Sequence, residues 1–161
     1  MNLNEKKIYW KPLLLCLAVP LAVGGLSALL TKNSMAEFEA LNKPPLTPPG
    51  SVFPIVWSIL FILMGIASYL VLTSDQPREA ISAALKRYIL QLVFNFFWPI
   101  FFFRFSLYLF SFFWLLLLWL LILTTFLLFF RISKTAGWLF LPYLLWTTFA
   151  AYLNFGVFLL N

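Results

Sequence analysis

KPPLTPPGSVFPIVW, residues 43–57, decides how the rest of the chain is read. Five of its fifteen residues are prolines (44, 45, 48, 49 and 54), so φ is fixed and backbone donors are missing through most of the approach to an apolar helix. A flexible link would use glycine, serine and charge instead. A stiff connector running into hydrocarbon reads either as a lid over something between helices or as a proline-rich helix start and nothing more.

Around this segment the chain is too apolar for a soluble domain. Of its 161 residues, 63% are hydrophobic and 10% charged, with mean hydropathy +0.97, against ~45–50% apolar residues in ordinary globular proteins. The expected fold is an all-α integral membrane protein. Its length admits about five spans of ~20 residues with short connections and no separate soluble domain. These fall at about 10–30, 51–72, 80–103, 107–130 and 136–160, one five-helix transmembrane domain over 1–161.

The net charge of +6 would point to nucleic acid in a soluble protein. Here the basic residues stand at the ends of apolar runs, where they set topology, so no nucleic-acid partner is expected. The N-terminal tail and the second and fourth connections carry 3, 3 and 2 Lys or Arg; the first and third connections and the C-terminal tail carry 2, 1 and 0. By eight to three, the positive-inside rule puts the N-terminus in the cytoplasm and the proline segment outside. Lys6, Lys7 and Lys11 precede an apolar run longer than a signal h-region, which is read as a retained first span. Cys16 is the lone cysteine, so no internal disulfide can form.

Within the first connection, 31–50, Met35, Phe38 and Leu41 have helical spacing and predict a short surface turn. Arg104–Ser106 reads as the tightest connection.

Absences narrow the chemistry. There is no histidine, and the five acids (Glu5, Glu37, Glu39, Asp75, Glu79) lie outside or at the margins of the spans. An intramembrane proton relay, a carboxylate dyad and a His-ligated metal or haem need side chains that are missing, which sets aside a pump, a metalloprotease and a Ser-His hydrolase. No metal and no resident cofactor are expected.

What remains inside the bilayer is neutral and aromatic. Gln91, Asn95, Trp98 and Phe102 recur at i, i+4, i+7 and i+11 on one helical face. Tyr143, Thr147, Ala150 and Asn154 make a second such face with Trp146 beside it, and Trp57, Phe61, Met64 and Ser68 a third, beside Gly65. Unsatisfied amides in hydrocarbon cost several kcal/mol, so these faces look into protein or ligand. The amides serve as helix-to-helix glue or as ligand contacts, and both readings stay open here. Trp10 and Trp138 read as interfacial, Trp114 and Trp119 as packing or lipid-facing.

These residues also carry a pattern. Lys43-Pro44, Pro48-Pro49 and Trp57, then Met64-Gly65 and Ser68-Tyr69, then Gln91, Asn95 and Trp98-Pro99-Ile100-Phe101-Phe102, and finally Pro142-Tyr143, Trp146, Phe149-Ala150 and Leu153-Asn154 resemble the TspO/translocator protein family over nearly the whole chain, in order. The resemblance implies a bundle of five transmembrane helices in a bacterial cell membrane, usually a homodimer, with a pocket closed by the first connection. It implies binding of a tetrapyrrole such as protoporphyrin IX, and in some members of sterols or benzodiazepine-type ligands. It further implies light-dependent porphyrin degradation, for which Trp57 and Trp146 match the pocket tryptophans.

The ligand-binding residues so implied are Lys43 and Pro44 in the cover, Trp57 and Phe61 in the second span, and Gln91, Asn95, Trp98 and Phe102 in the third. The fifth span adds Tyr143, Trp146, Thr147, Ala150 and Asn154. A flat macrocycle stacks on aromatic rings, and its propionates reach Lys32 or Lys43 at the mouth. The chain departs from the family pattern at Leu46 and Ser51, where relatives carry aromatics, at Trp114, near where they carry an acid, and after Tyr152, where no Lys or Arg completes the sterol consensus. Three functions follow from different classes: a tetrapyrrole sensor, a photochemical enzyme, and a transporter of porphyrins, sterols or other lipophiles.

Overall fold

A computed structural model describes residues 8–161. Glu5, Lys6 and Lys7, which enter the charge pattern above, lie outside the described residues. The long helices are α1 (Trp10–Thr31), α3 (Val52–Leu72), α4 (Arg78–Pro99), α5 (Tyr108–Ile132) and α6 (Lys134–Leu160). A short helix, α2 (Met35–Ala40), follows one 3₁₀ turn, Lys32–Ser34. The expected spans agree with the five long helices to within a few residues.

Helices α1, α3, α5 and α6 are long and apolar enough to cross a membrane. Helix α4 is diluted by Lys86, Arg87, Gln91 and Asn95 and falls short of that apolarity; both of its amides are buried in the bundle. The chain is a multi-pass integral membrane protein.

Sequence chemistry sets the ends of these elements. Pro54 sits in the first turn of α3, where the amide it lacks would have had no helical acceptor. Glu79 in the first turn of α4 faces the positive end of the helix dipole. At the far end Pro99 removes the amide that would close the turn on Asn95, and the helix widens into a π turn over Ile100–Arg104. The expected regular helix to Phe103 therefore ends at Pro99. The tightest connection is not Arg104–Ser106 but the single residue Ser133, whose side chain caps α6 by accepting from the Ala136 amide at 3.3 Å.

Packing makes a closed ring in the order α1, α3, α6, α5, α4, returning to α1. Gly65 lets α1 and α3 touch: a Cβ there would meet the Cys16 carbonyl oxygen at 2.8 Å. Helix α2 is more than a surface turn, because Phe38 is buried with its ring 5.2 Å from Phe103 and 5.9 Å from Phe102. It plugs the end of the ring.

The proline segment is bound down rather than loose. Pro44 is buried and occupies the notch left by Gly156, where any Cβ would collide with the proline ring. Tyr152 donates to the Pro45 carbonyl at 2.9 Å. Leu46 turns the chain with φ at 69°, a left-handed conformation disfavoured for leucine.

Candidate functional site

Under α2 and the proline segment, between α1, α3 and α4, lies a cavity of about 330 Å³. That is at the low end of the ~300–1,000 Å³ usual for small-molecule sites. Its α1 wall is Gly24, Ser27, Ala28 and Thr31, whose spacing makes one helical stripe of small side chains. Gly24 is needed there, since a Cβ would strike the Phe61 ring. The α3 wall is Phe53, Pro54, Trp57 and Phe61; the α4 wall is Asn95, Trp98, Pro99 and Phe103. Lys32 and Met35 stand at the mouth.

The indoles of Trp57 and Trp98 lie 6.2 Å apart at 37°, and Phe61 stacks on Trp57 at 5.6 Å. These rings are held in place. The Trp98 indole donates to Asn154 Oδ1 at 3.0 Å, and that oxygen also accepts from Ser111 at 3.1 Å. The Asn154 amide nitrogen donates to the Tyr108 carbonyl at 2.7 Å, so one asparagine ties α4, α5 and α6 together. Trp57 packs edge-on against Tyr143 at 6.1 Å.

Three polar side chains stand on the walls: Ser27 and Thr31, whose hydroxyls donate to the carbonyls of Phe96 and Ser27, and Asn95. Asn95 Nδ2 donates to the Tyr143 hydroxyl at 2.7 Å, and that hydroxyl donates to Gln91 Oε1 at 2.7 Å. The Gln91 amide ends the chain on the Met64 sulfur at 3.9 Å. One Asn95 N–H is thus committed, and the side chain still lines the cavity.

The structure thus gathers four of the sequence-derived residues, Trp57, Phe61, Asn95 and Trp98, on one cavity. Phe102, Ala150 and Asn154 line instead a void of about 20 Å³ on the other side of Trp98, Phe53 and Phe103. It has room for about one water. Tyr143 and Gln91 stand behind Asn95. Thr147 is buried and bonds back to the carbonyls of Tyr143 and Leu144 within its own helix.

Lys43 and Pro44 face away from the cavity. The lysine ammonium donates to the Glu39 carbonyl at 2.7 Å and lies 5.2 Å above the Phe38 ring, while Pro44 is committed to Gly156. Trp146 is not on the cavity wall either: its ring lies 6.1 Å from that of Phe53, and among the described residues its buried indole N–H has no partner.

Sequence reasoning missed Phe53, Phe103 and the α1 stripe. The signal was present for α1, where Gly24, Ser27 or Ala28, and Thr31 recur at helical spacing. Phe103 lies within the π turn, whose wider winding takes it off the periodic face.

Comparison with known proteins places this geometry in a lineage. The family model described as TspO/MBR family matches residues 16–160. The chain is 39% identical over 150 residues to the Tryptophan-rich protein TspO of Chlorobaculum tepidum, covering 92% of this chain and 95% of that protein. It is 36% identical over 124 residues to the Tryptophan-rich sensory protein of Cereibacter sphaeroides, covering 77% and 76%. It is 30% identical over 149 residues to the Translocator protein of Bos taurus, covering 91% and 88%.

Proposed function

The chain belongs to the TspO/MBR family, and on that premise we propose that it binds a flat, lipophilic tetrapyrrole such as protoporphyrin IX in the cavity between α1, α3 and α4, as a sensor. The observation that carries this reading is the pairing of Trp57 and Trp98 on a cavity whose wall also carries the buried amide of Asn95. The indoles offer stacking surface, the Asn95 oxygen accepts from a pyrrole N–H, and Lys32 at the mouth meets a propionate.

The cavity is small for a whole macrocycle. Only the rings of Phe53, Trp98 and Phe103 separate it from the void lined by Ala150 and Asn154, so swinging that partition joins the two spaces. Occupancy then reaches the cover, because Phe38 rests on Phe53, Phe102 and Phe103. A bound ring in this way alters the contacts that α2 offers to a partner.

Titration with protoporphyrin IX tests the reading: absorbance should saturate at one ligand per chain with quenching of tryptophan emission. Unchanged affinity in the Trp57→Leu, Trp98→Leu double variant would sink it. Translocation of the same ligand is a second reading, favoured by the α1 wall, where Ala28 is both exposed and cavity-lining, which gives a lipophile a side route. Ligand flux into proteoliposomes decides between them. Photochemical degradation requires an indole against the bound ring, which Trp57 supplies and Trp146 reaches only through Phe53; illumination should then consume bound porphyrin along a route distinct from free porphyrin bleaching.

A further inference from the structure

The first turns of α4 form, with the end of α3, an open groove of about 630 Å³ that plays no part in the cavity described above. Arg78, Ser82 and Lys86 line it at i, i+4 and i+8, a ladder of donors along one edge. Ile81, Leu85 and Ile89 run beside them at the same spacing, and Leu72 faces them from α3. One edge is therefore cationic and hydrogen-bonding, the other wholly aliphatic.

Depth in the membrane follows from length. Helix α4 with its π turn spans Arg78–Arg104, 27 residues, or ~40 Å at 1.5 Å per residue. This exceeds the ~30 Å of hydrocarbon by ~10 Å. The excess belongs at the Arg78 end, where Glu79, Lys86 and Arg87 are all exposed. Arg78 and Lys86 then lie at headgroup level while Ile89 lies in the acyl region. This end of the bundle is also the more basic one, with Lys11, Arg78, Lys86, Arg87, Arg131 and Lys134 against Asp75 and Glu79.

We propose that this groove is a docking site for one anionic phospholipid. Its phosphate is held between the Arg78 guanidinium and the Lys86 ammonium with Ser82 donating between them, and one acyl chain lies along Ile81, Leu85 and Ile89 against Leu72. Charge complementarity selects the occupant: a zwitterionic lipid brings its own cation to an edge that already carries two, whereas an anionic headgroup does not.

Native mass spectrometry of the full-length protein tests this, with added phosphatidylglycerol and phosphatidylcholine of identical chains. The intact protein should retain one phosphatidylglycerol per chain, preferred by on the order of tenfold, as expected for two basic residues near one anion. R78Q/K86Q should bring the preference close to unity. S82F, which fills the groove while leaving every charge in place, should also lose the retained lipid, and it reads the site independently if the charge variant fails to fold. R131Q/K134Q, which removes the same charge elsewhere on that face, should keep the preference. The proposal is overturned if R78Q/K86Q and S82F retain the lipid, if R131Q/K134Q loses it equally, or if millimolar inorganic phosphate displaces it, which would mark a free-anion site.

Discussion

Asn42 and Asn161 exchange two hydrogen bonds: the Asn42 amide donates to Asn161 Oδ1 at 3.0 Å, and Asn161 Nδ2 returns to the Asn42 carbonyl at 2.9 Å. With Tyr152 on Pro45 and Pro44 on Gly156, they latch the proline segment of the cover to α6. Opening that segment breaks exposed hydrogen bonds worth roughly 0.5–1.5 kcal/mol each and lifts Pro44 out of its notch. The N161A/Y152F variant should therefore release bound porphyrin roughly tenfold faster, with its absorbance spectrum unchanged. Stopped-flow recovery of tryptophan emission during a chase measures it, and an unaltered rate would mean that ligand leaves by another path.

Tyr143 and Tyr88 make different predictions for the same change. Tyr143→Phe strips the shared partner from two buried amides, Gln91 and Asn95, and should cost about 1–3 kcal/mol. Among the described residues the Tyr88 hydroxyl has at most the Ser68 side chain beside it and no well-formed hydrogen bond, so Tyr88→Phe should be close to neutral. Thermal unfolding in one detergent ranks the two; a larger loss for Tyr88→Phe would contradict the hydrogen-bond assignment.

The two tryptophans singled out for photochemistry should separate. Trp57→Leu removes a ring from the cavity wall and should weaken porphyrin binding roughly tenfold, since aromatic pairs contribute about 0.5–1.5 kcal/mol beyond their buried area. Trp146→Leu should change affinity by less than about twofold, because Phe53 stands between it and the cavity. Parallel absorbance titrations decide, and equal losses would place the ligand elsewhere.

Leu46 holds φ at 69° with 82% of its surface exposed. A left-handed residue other than glycine costs about 1–2 kcal/mol, against about 0.5–1 kcal/mol for glycine's added freedom in the unfolded chain. Leu46→Gly should thus leave the protein slightly more stable and slow hydrogen exchange in residues 43–50. Faster exchange there would show that the leucine side chain, not the backbone, secures the turn.

Periodicity made the inward faces legible before any coordinates: Gln91, Asn95 and Trp98, like Tyr143 and Asn154, are all buried as their spacing requires. It could not say whether an inward group meets a ligand or a neighbouring helix, because both need the same residue at the same place. Asn154 proves to brace Trp98, and Asn95 to bond Tyr143 from a place on the cavity wall. Trp146 was equally opaque, since its proximity to Pro142 says nothing about Phe53 standing in front of it. The notch at Gly156 is a long-range match to Pro44, and no local pattern announces a partner 112 positions away.

The two buried amides of α4 also govern the order in which the chain enters the bilayer. Presented singly to lipid during synthesis, this segment would expose Gln91 and Asn95 to hydrocarbon while Lys86 and Arg87 draw it back toward water. Its amides find their shared partner only once α6 brings Tyr143, whose hydroxyl accepts from Asn95 and donates to Gln91, each at 2.7 Å. Insertion of α4 thus waits for α6, so a ribosome-bound chain that stops short of Tyr143 should leave α4 accessible to glycosylation or cysteine labelling, and one that includes it should not.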